Sequence, residues 1–149
     1  MSLSTEIMTA LKTAMKEKDQ TALTALRAVK SAILLAQTET GSKEELTEEQ
    51  ELKILQKQVK QRKDSAAMFL EQNREDLAAP ELAEAAIIAQ FLPEDMSEED
   101  IKKAVDAVIA QTGAEGMKDM GKVMGMASKE LAGRADGKTI SNIVKAKLA

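Results

Sequence analysis

Only Phe69 and Phe91 are aromatic in this chain, and that near-absence limits its folds more than any other feature. A core without aromatic side chains has to come from Leu, Ile, Val, Ala and Met. Such a mixture suits packed helices and is poor for sheets, which favour aromatic and β-branched residues. Apolar residues make up 44% of 149 positions, enough to bury a core, and 31% charged residues suit a surface in water. The expectation is an all-α protein: an N-terminal helical domain, residues 1–96, of about four helices including one long helix, plus a small C-terminal three-helix bundle, residues 97–149.

Apolar residues recur at three- and four-residue spacing through most of the chain. Leu3 to Lys18 would turn Ile7, Leu11, Ala14 and Met15 inward. Asp19 is suited to cap a second helix reaching about Glu39, with Leu23, Leu26, Val29, Ile33 and Ala36 inward. Thr40-Gly41-Ser42-Lys43 reads as a loop. Thr47 and Gln50 fit a capping box, which opens a long helix to about Asn73 with Leu52, Leu55, Val59, Ala66, Phe69 and Leu70 on its inner side. A turn near Arg74–Asp76 leads to a fourth helix, about Leu77 to Gln90, with Pro80 in its first turn, where the missing N–H costs nothing. Pro93 then breaks the pattern and is the best domain boundary. Ser97 caps the next helix, Ile101, Val105, Val108 and Ile109 form its apolar face, and Gly113 ends it. Two last helices are expected over about 117–131 and 138–148.

The chain has no His and no Cys. It therefore lacks an imidazole base, a thiol nucleophile and any nitrogen or sulfur ligand for zinc. No catalytic, cofactor-binding or metal-ligating set is recognised, and catalysis by the chain alone is not expected. Glu44, Glu45, Glu48, Glu49 and Glu51 sit where a helix macrodipole favours anions, which explains them without a metal. Lys53, Lys57 and Lys60 read as a solvated helix face diluted by Glu49 and Asp64. Arg62 falls on an apolar stripe; either its stem packs while its head snorkels or meets a carboxylate, or it contacts a ligand or partner. No run of 18 apolar residues and no secretory h-region is visible, and without disulfides a cytoplasmic address is the default.

The segment 117–149 carries most of the functional signal. Met117, Met120, Met124, Ala127 and Leu131 share one helical face, and Gly121, Gly125 and Ser128 form a side-less stripe beside it. Glycine inside a helix costs about 0.8–1.0 kcal/mol relative to alanine, so the pair asks for a close neighbour: a packed helix of the same bundle, a partner or a ligand. Gly133 stands where a left-handed residue ends a helix. Asp136 can cap the next helix, which buries Ile140, Ile143, Val144 and Leu148. Seven bases against four acids give residues 115–149 a net charge of +3, whereas the whole chain is −4. A generic polyanion binder is excluded; a local basic patch is not.

The segments Asp119-Met120-Gly121-Lys122-Val123-Met124-Gly125 and Gly133-Arg134-Ala135-Asp136-Gly137-Lys138, then Val144-Lys145 and Leu148, resemble the signature of the GatB/YqeY family. Gln61-Arg62-Lys63-Asp64-Ser65 with Phe69, and Phe91-Leu92-Pro93 followed by Ser97-Glu98-Glu99, agree with it, so the resemblance covers essentially the full length. It implies kinship with the C-terminal tail of the B subunit of the aspartyl/glutamyl-tRNA amidotransferase. That enzyme converts misacylated Glu-tRNA or Asp-tRNA to Gln-tRNA or Asn-tRNA, and its tail helps bind the tRNA. The catalytic core has no counterpart in this chain. A family label of carbon–nitrogen ligase with glutamine as amido-N-donor therefore describes the complex rather than this polypeptide.

Two functional readings follow. In one, the protein is a non-catalytic tRNA-binding module or a companion of a tRNA-handling protein. Its contact surface is then Lys118, Gly121, Lys122, Gly125, Lys129, Arg134, Lys138 and Lys145, with no membrane partner and no DNA specificity visible. In the other it is a protein–protein adaptor without RNA contact, whose glycine stripe receives a partner helix in an apolar, largely uncharged groove.

Overall fold

In the computed structural model, which describes residues 2–39, 41 and 45–149, every regular element is helical. Four helices precede Leu92: α1 (Leu3–Glu17), α2 (Gln20–Glu39), α3 (Glu48–Glu71) and α4 (Glu75–Ala89). Three follow it: α5 (Glu98–Thr112), α6 (Met120–Glu130) and α7 (Gly137–Leu148), with a 3-10 turn at Met117–Asp119 leading into α6.

The helix ends follow from local chemistry. Ser2 accepts the Thr5 N–H at 3.2 Å, Asp19 Oδ1 the Ala22 N–H at 3.1 Å, and Ser97 the Asp100 N–H at 3.2 Å. Thr47 and Gln50 complete the capping box in both directions, at 3.2 and 2.9 Å. At the end of α3, Asn73 turns left-handed (φ 58°). The Arg74 N–H then reaches the Phe69 carbonyl at 2.8 Å and the Asn73 N–H the Leu70 carbonyl at 3.1 Å, satisfying two orphan acceptors. Because α4 starts at Glu75, Pro80 lies in its second turn, not its first. The Asp76 carbonyl thus receives no N–H from residue 80, a loss confined to the exposed helix start. The loop read at residues 40–43 and Glu44 lie outside the described residues, except for Gly41.

Two compact units result, one through Leu92 and one over Pro93–Ala149. The first is built on Ile7, Leu11, Leu23, Leu26, Val29, Leu55, Val59 and Ile88. The second is built on Ile101, Val105, Val108, Val123, Ala127, Ile140, Val144 and Leu148. Met96 packs against the second core, and its N–H donates to the Arg134 carbonyl at 2.9 Å.

Several residues expected inside are not. Met15, Leu70 and Met117 are 57%, 48% and 49% exposed. On α6 the missing inward position is taken by Val123, fully buried between the half-buried Met120 and Met124. Met117 opens the 3-10 turn ahead of α6 and is not part of that helix.

Candidate nucleic-acid interface

The buried face of α6 is Val123, Ala127 and, just past its end, Leu131. Lys122, Gly125 and Lys129, at i, i+3 and i+7, therefore share the opposite, exposed face, with Gly121 beside them. A Cβ built on Gly121 or Gly125 would meet no atom within 4 Å. Tight packing inside the bundle, one of the three explanations open from the sequence, is thus not what these glycines provide. They leave a bare strip of helix backbone flanked by two lysines.

Lys118 stands on the 3-10 turn before this face and is exposed. Arg134 stands on the connection from α6 to α7. Gly133 turns left-handed there (φ 78°), while buried Leu131 and Ala135 anchor the loop. The Arg134 N–H donates to the Leu131 carbonyl at 2.9 Å, so its backbone is held while its side chain projects outward. Asp136 occupies the cap position of α7 but its side chain makes no capping bond, contrary to the sequence expectation; only its carbonyl engages, accepting the Ile140 N–H at 3.0 Å. Lys138 and Lys145, seven residues apart, lie on the exposed face of α7 opposite Ile140 and Val144.

The electrostatics separate these bases from others nearby. Lys147 is neutralised by Asp106, 2.9 Å away on α5, and Lys102 pairs with Glu98 at 3.5 Å. Among the described residues no ion pair is made by Lys118, Lys122, Lys129, Arg134, Lys138 or Lys145. Six of this unit's ten acids lie earlier, at Glu94, Asp95, Glu98, Glu99, Asp100 and Asp106, while Glu115, Asp119, Glu130 and Asp136 are interspersed with the bases. The eight residues named from the sequence thus stand on three exposed supports: the α6 face with the turn before it, the connecting loop, and the α7 face.

Two positions in the first unit differ from expectation. Among the described residues the Arg62 head meets no carboxylate: Nη1 donates to the Gln58 carbonyl at 3.2 Å and to Gln58 Oε1 at 2.8 Å, and its buried Nε has no partner there. In the acidic run, Glu51 turns inward and is 7% exposed, accepting a hydrogen bond from the Ser4 hydroxyl at 3.3 Å. No group of three His, Cys, Asp or Glu among the described residues is arranged to hold a metal. Burial pushes the Glu51 carboxyl above the ordinary glutamate value, against the opposing effect of its Ser4 bond. The folded state therefore holds this proton more tightly than the unfolded one. Its stabilising contribution is complete below the unfolded value and is lost as pH rises through the folded one. Glu51→Gln keeps an acceptor for Ser4 without the charge. It is expected to raise the thermal midpoint at about pH 7 and to flatten the fall in stability as pH rises above the ordinary glutamate range. An unchanged pH profile by circular dichroism would contradict this.

No helix among the described residues is long and apolar enough to cross a membrane. A stretch of 57 residues is 42% identical to part of one component of the glutamyl-tRNA(Gln) amidotransferase of Thermococcus gammatolerans, covering 36% of this chain and 9% of that protein. The chain thus spans less than a tenth of the length of this relative. The family model for YqeY-like proteins matches residues 4–148. With the match running nearly from end to end, the chain belongs to the YqeY-like protein family.

Proposed function

We propose that this protein is a non-catalytic tRNA-binding module. In this reading the C-terminal domain, residues 97–149, contacts the RNA and the N-terminal domain, residues 1–96, extends the surface. The observation that carries it is the set of six exposed bases that make no ion pair among the described residues, two of them, Lys122 and Lys129, flanking the bare α6 strip. Unneutralised Lys and Arg gain most from phosphate, because they release its counterions without first giving up an internal partner. The α6 glycines admit a sugar–phosphate backbone closer than any side chain would. Double-helical RNA is read through shape, 2′-hydroxyls and phosphates across its minor groove, so a chain with only two aromatic residues loses nothing by lacking stacking platforms. The relative's name, which places it in a tRNA amidotransferase, points to the same ligand class. An adaptor seating an apolar helix on the glycine strip is less favoured, since that helix would meet Lys122 and Lys129.

Fluorescence anisotropy with tRNA tests this at about 50 and 200 mM salt, comparing the intact chain with Lys122→Glu/Arg134→Glu/Lys138→Glu. Saturable binding that weakens with salt, falls by at least about tenfold in the variant and shows a shallower salt slope is expected. Absence of binding at the lower salt concentration, or equal binding by the variant, would refute the assignment.

A further inference from the structure

The first unit carries a second surface that the RNA reading does not use. Between α1 and α2 lies a cleft of about 180 Å³, lined by Ser4, Ile7, Met8, Lys30, Ile33, Leu34 and Gln37. Ile7 and Ile33 form a buried floor, while Met8 and Leu34 at the opening are 38% and 51% exposed. The volume admits an aliphatic side chain or two.

Charge indicates what kind of chain would bring that side chain. Along α1, Met8, Lys12 and Met15 follow at i, i+4 and i+7; along α2, Arg27, Lys30 and Leu34 follow at i, i+3 and i+7. The turn at residues 18–19 reverses the chain; Met8, Lys30 and Leu34 line the cleft, and Lys12, Met15 and Arg27 continue their strips along each helix beyond it. Lys12, Arg27 and Lys30 are exposed and make no ion pair among the described residues. The carboxylates of the two helices lie elsewhere. Glu6 and Glu17 fall roughly 160–180° around α1 from Met8, and Glu17 and Asp19 line the separate cleft beside Ile87 and Phe91. Glu39 falls roughly 140° around α2 from Leu34. At the Ser4 end of the cleft, Glu51 is buried beneath Ser4, with the exposed Glu45 and Glu48 close enough to act on its charge.

We propose that this cleft docks an acidic amphipathic helix of a partner protein. One apolar residue of that helix enters between Met8 and Leu34, and carboxylates a turn away meet Lys30, Arg27 and Lys12. This is helix-in-groove recognition, with flexible methionines suited to fit its anchor.

The probe is a labelled synthetic helix of about 16 residues with Leu at i, i+3, i+4 and i+7 and Glu elsewhere, titrated with the full chain by anisotropy. Saturable binding is expected, weakened by about tenfold in Arg27→Glu/Lys30→Glu and similarly in Leu34→Ser. The same peptide with Lys in place of Glu should not bind. Circular dichroism checks that these surface variants fold, and their tRNA binding should match the parent chain, which separates this site from the C-terminal one. Absence of saturable binding, equal binding of the lysine peptide, or variants that bind like the parent would each overturn the proposal. So would binding to phosphatidylserine vesicles but not to the peptide, which would assign the surface to a membrane instead.

Discussion

Val144→Asp is expected to unfold the second unit at neutral pH. Val144 is fully buried at the centre of α7, among Ile140, Val105 and Val123. Among the described residues no basic side chain is buried. A carboxylate there must either remain charged without a partner, at a cost of several kcal/mol, or take up a proton. Proton uptake at pH 7, about three units above the ordinary aspartate value, costs roughly 4 kcal/mol, and burying the neutral carboxyl without a partner adds about 1–3 kcal/mol. Against that, a unit spanning residues 93–149 has only roughly 3–9 kcal/mol of stability at typical values per residue. Since α5–α7 hold about a third of the chain's α-helical residues, about that share of the far-ultraviolet helical signal should vanish. Part of it should return near pH 4, where the unfolded carboxyl is itself half protonated and the penalty shrinks. Full helicity at neutral pH would mean that Val144 is not where the second core closes.

Leu55→Ala should remove about 2–5 kcal/mol from the first unit. Leu55 is fully buried in the cluster joining α1, α2, α3 and α4, and truncation leaves a cavity that surrounding helices close only in part. With a urea dependence of about 1–2 kcal/mol per molar for a unit of this size, the midpoint should fall by roughly 2 M. Leu35→Ala is the control: the same deletion at a side chain 60% exposed should change stability by no more than about 0.5 kcal/mol. Equal midpoints for the two variants would contradict the assigned core.

Most of this architecture was legible because its determinants are local. Capping by Asp19, Thr47 and Ser97 joins groups three residues apart, so residue type and spacing suffice. The aliphatic, nearly aromatic-free composition pointed to helices, and the structure has helices alone as its regular elements. The bases assigned to the candidate interface were legible as residue types, and their exposure followed from the helical period. What helical periodicity resolves poorly is how much of an apolar stripe a neighbour covers. No residue of α3 beyond Val59 joins the first core cluster, so Leu70 stays exposed despite its position on the stripe.

The chain's sequence by itself determined helix type, the helix ends capped by Ser97, Thr47 and Asp19, and the segregation of bases toward its last third, because each depends on side-chain chemistry within a turn or two. Tertiary structure alone decided which charges remain available. Glu51 is buried because Ser4, 47 residues away, lies over it; Lys147 is neutralised because packing brings Asp106, 41 residues away, within 3.0 Å. The glycines of α6 face outward because the packing of α5 and α7 claims the other side of that helix. Whether a lysine is free or a glycine open is set by neighbours distant in the chain, and a one-dimensional pattern carries no distance between them.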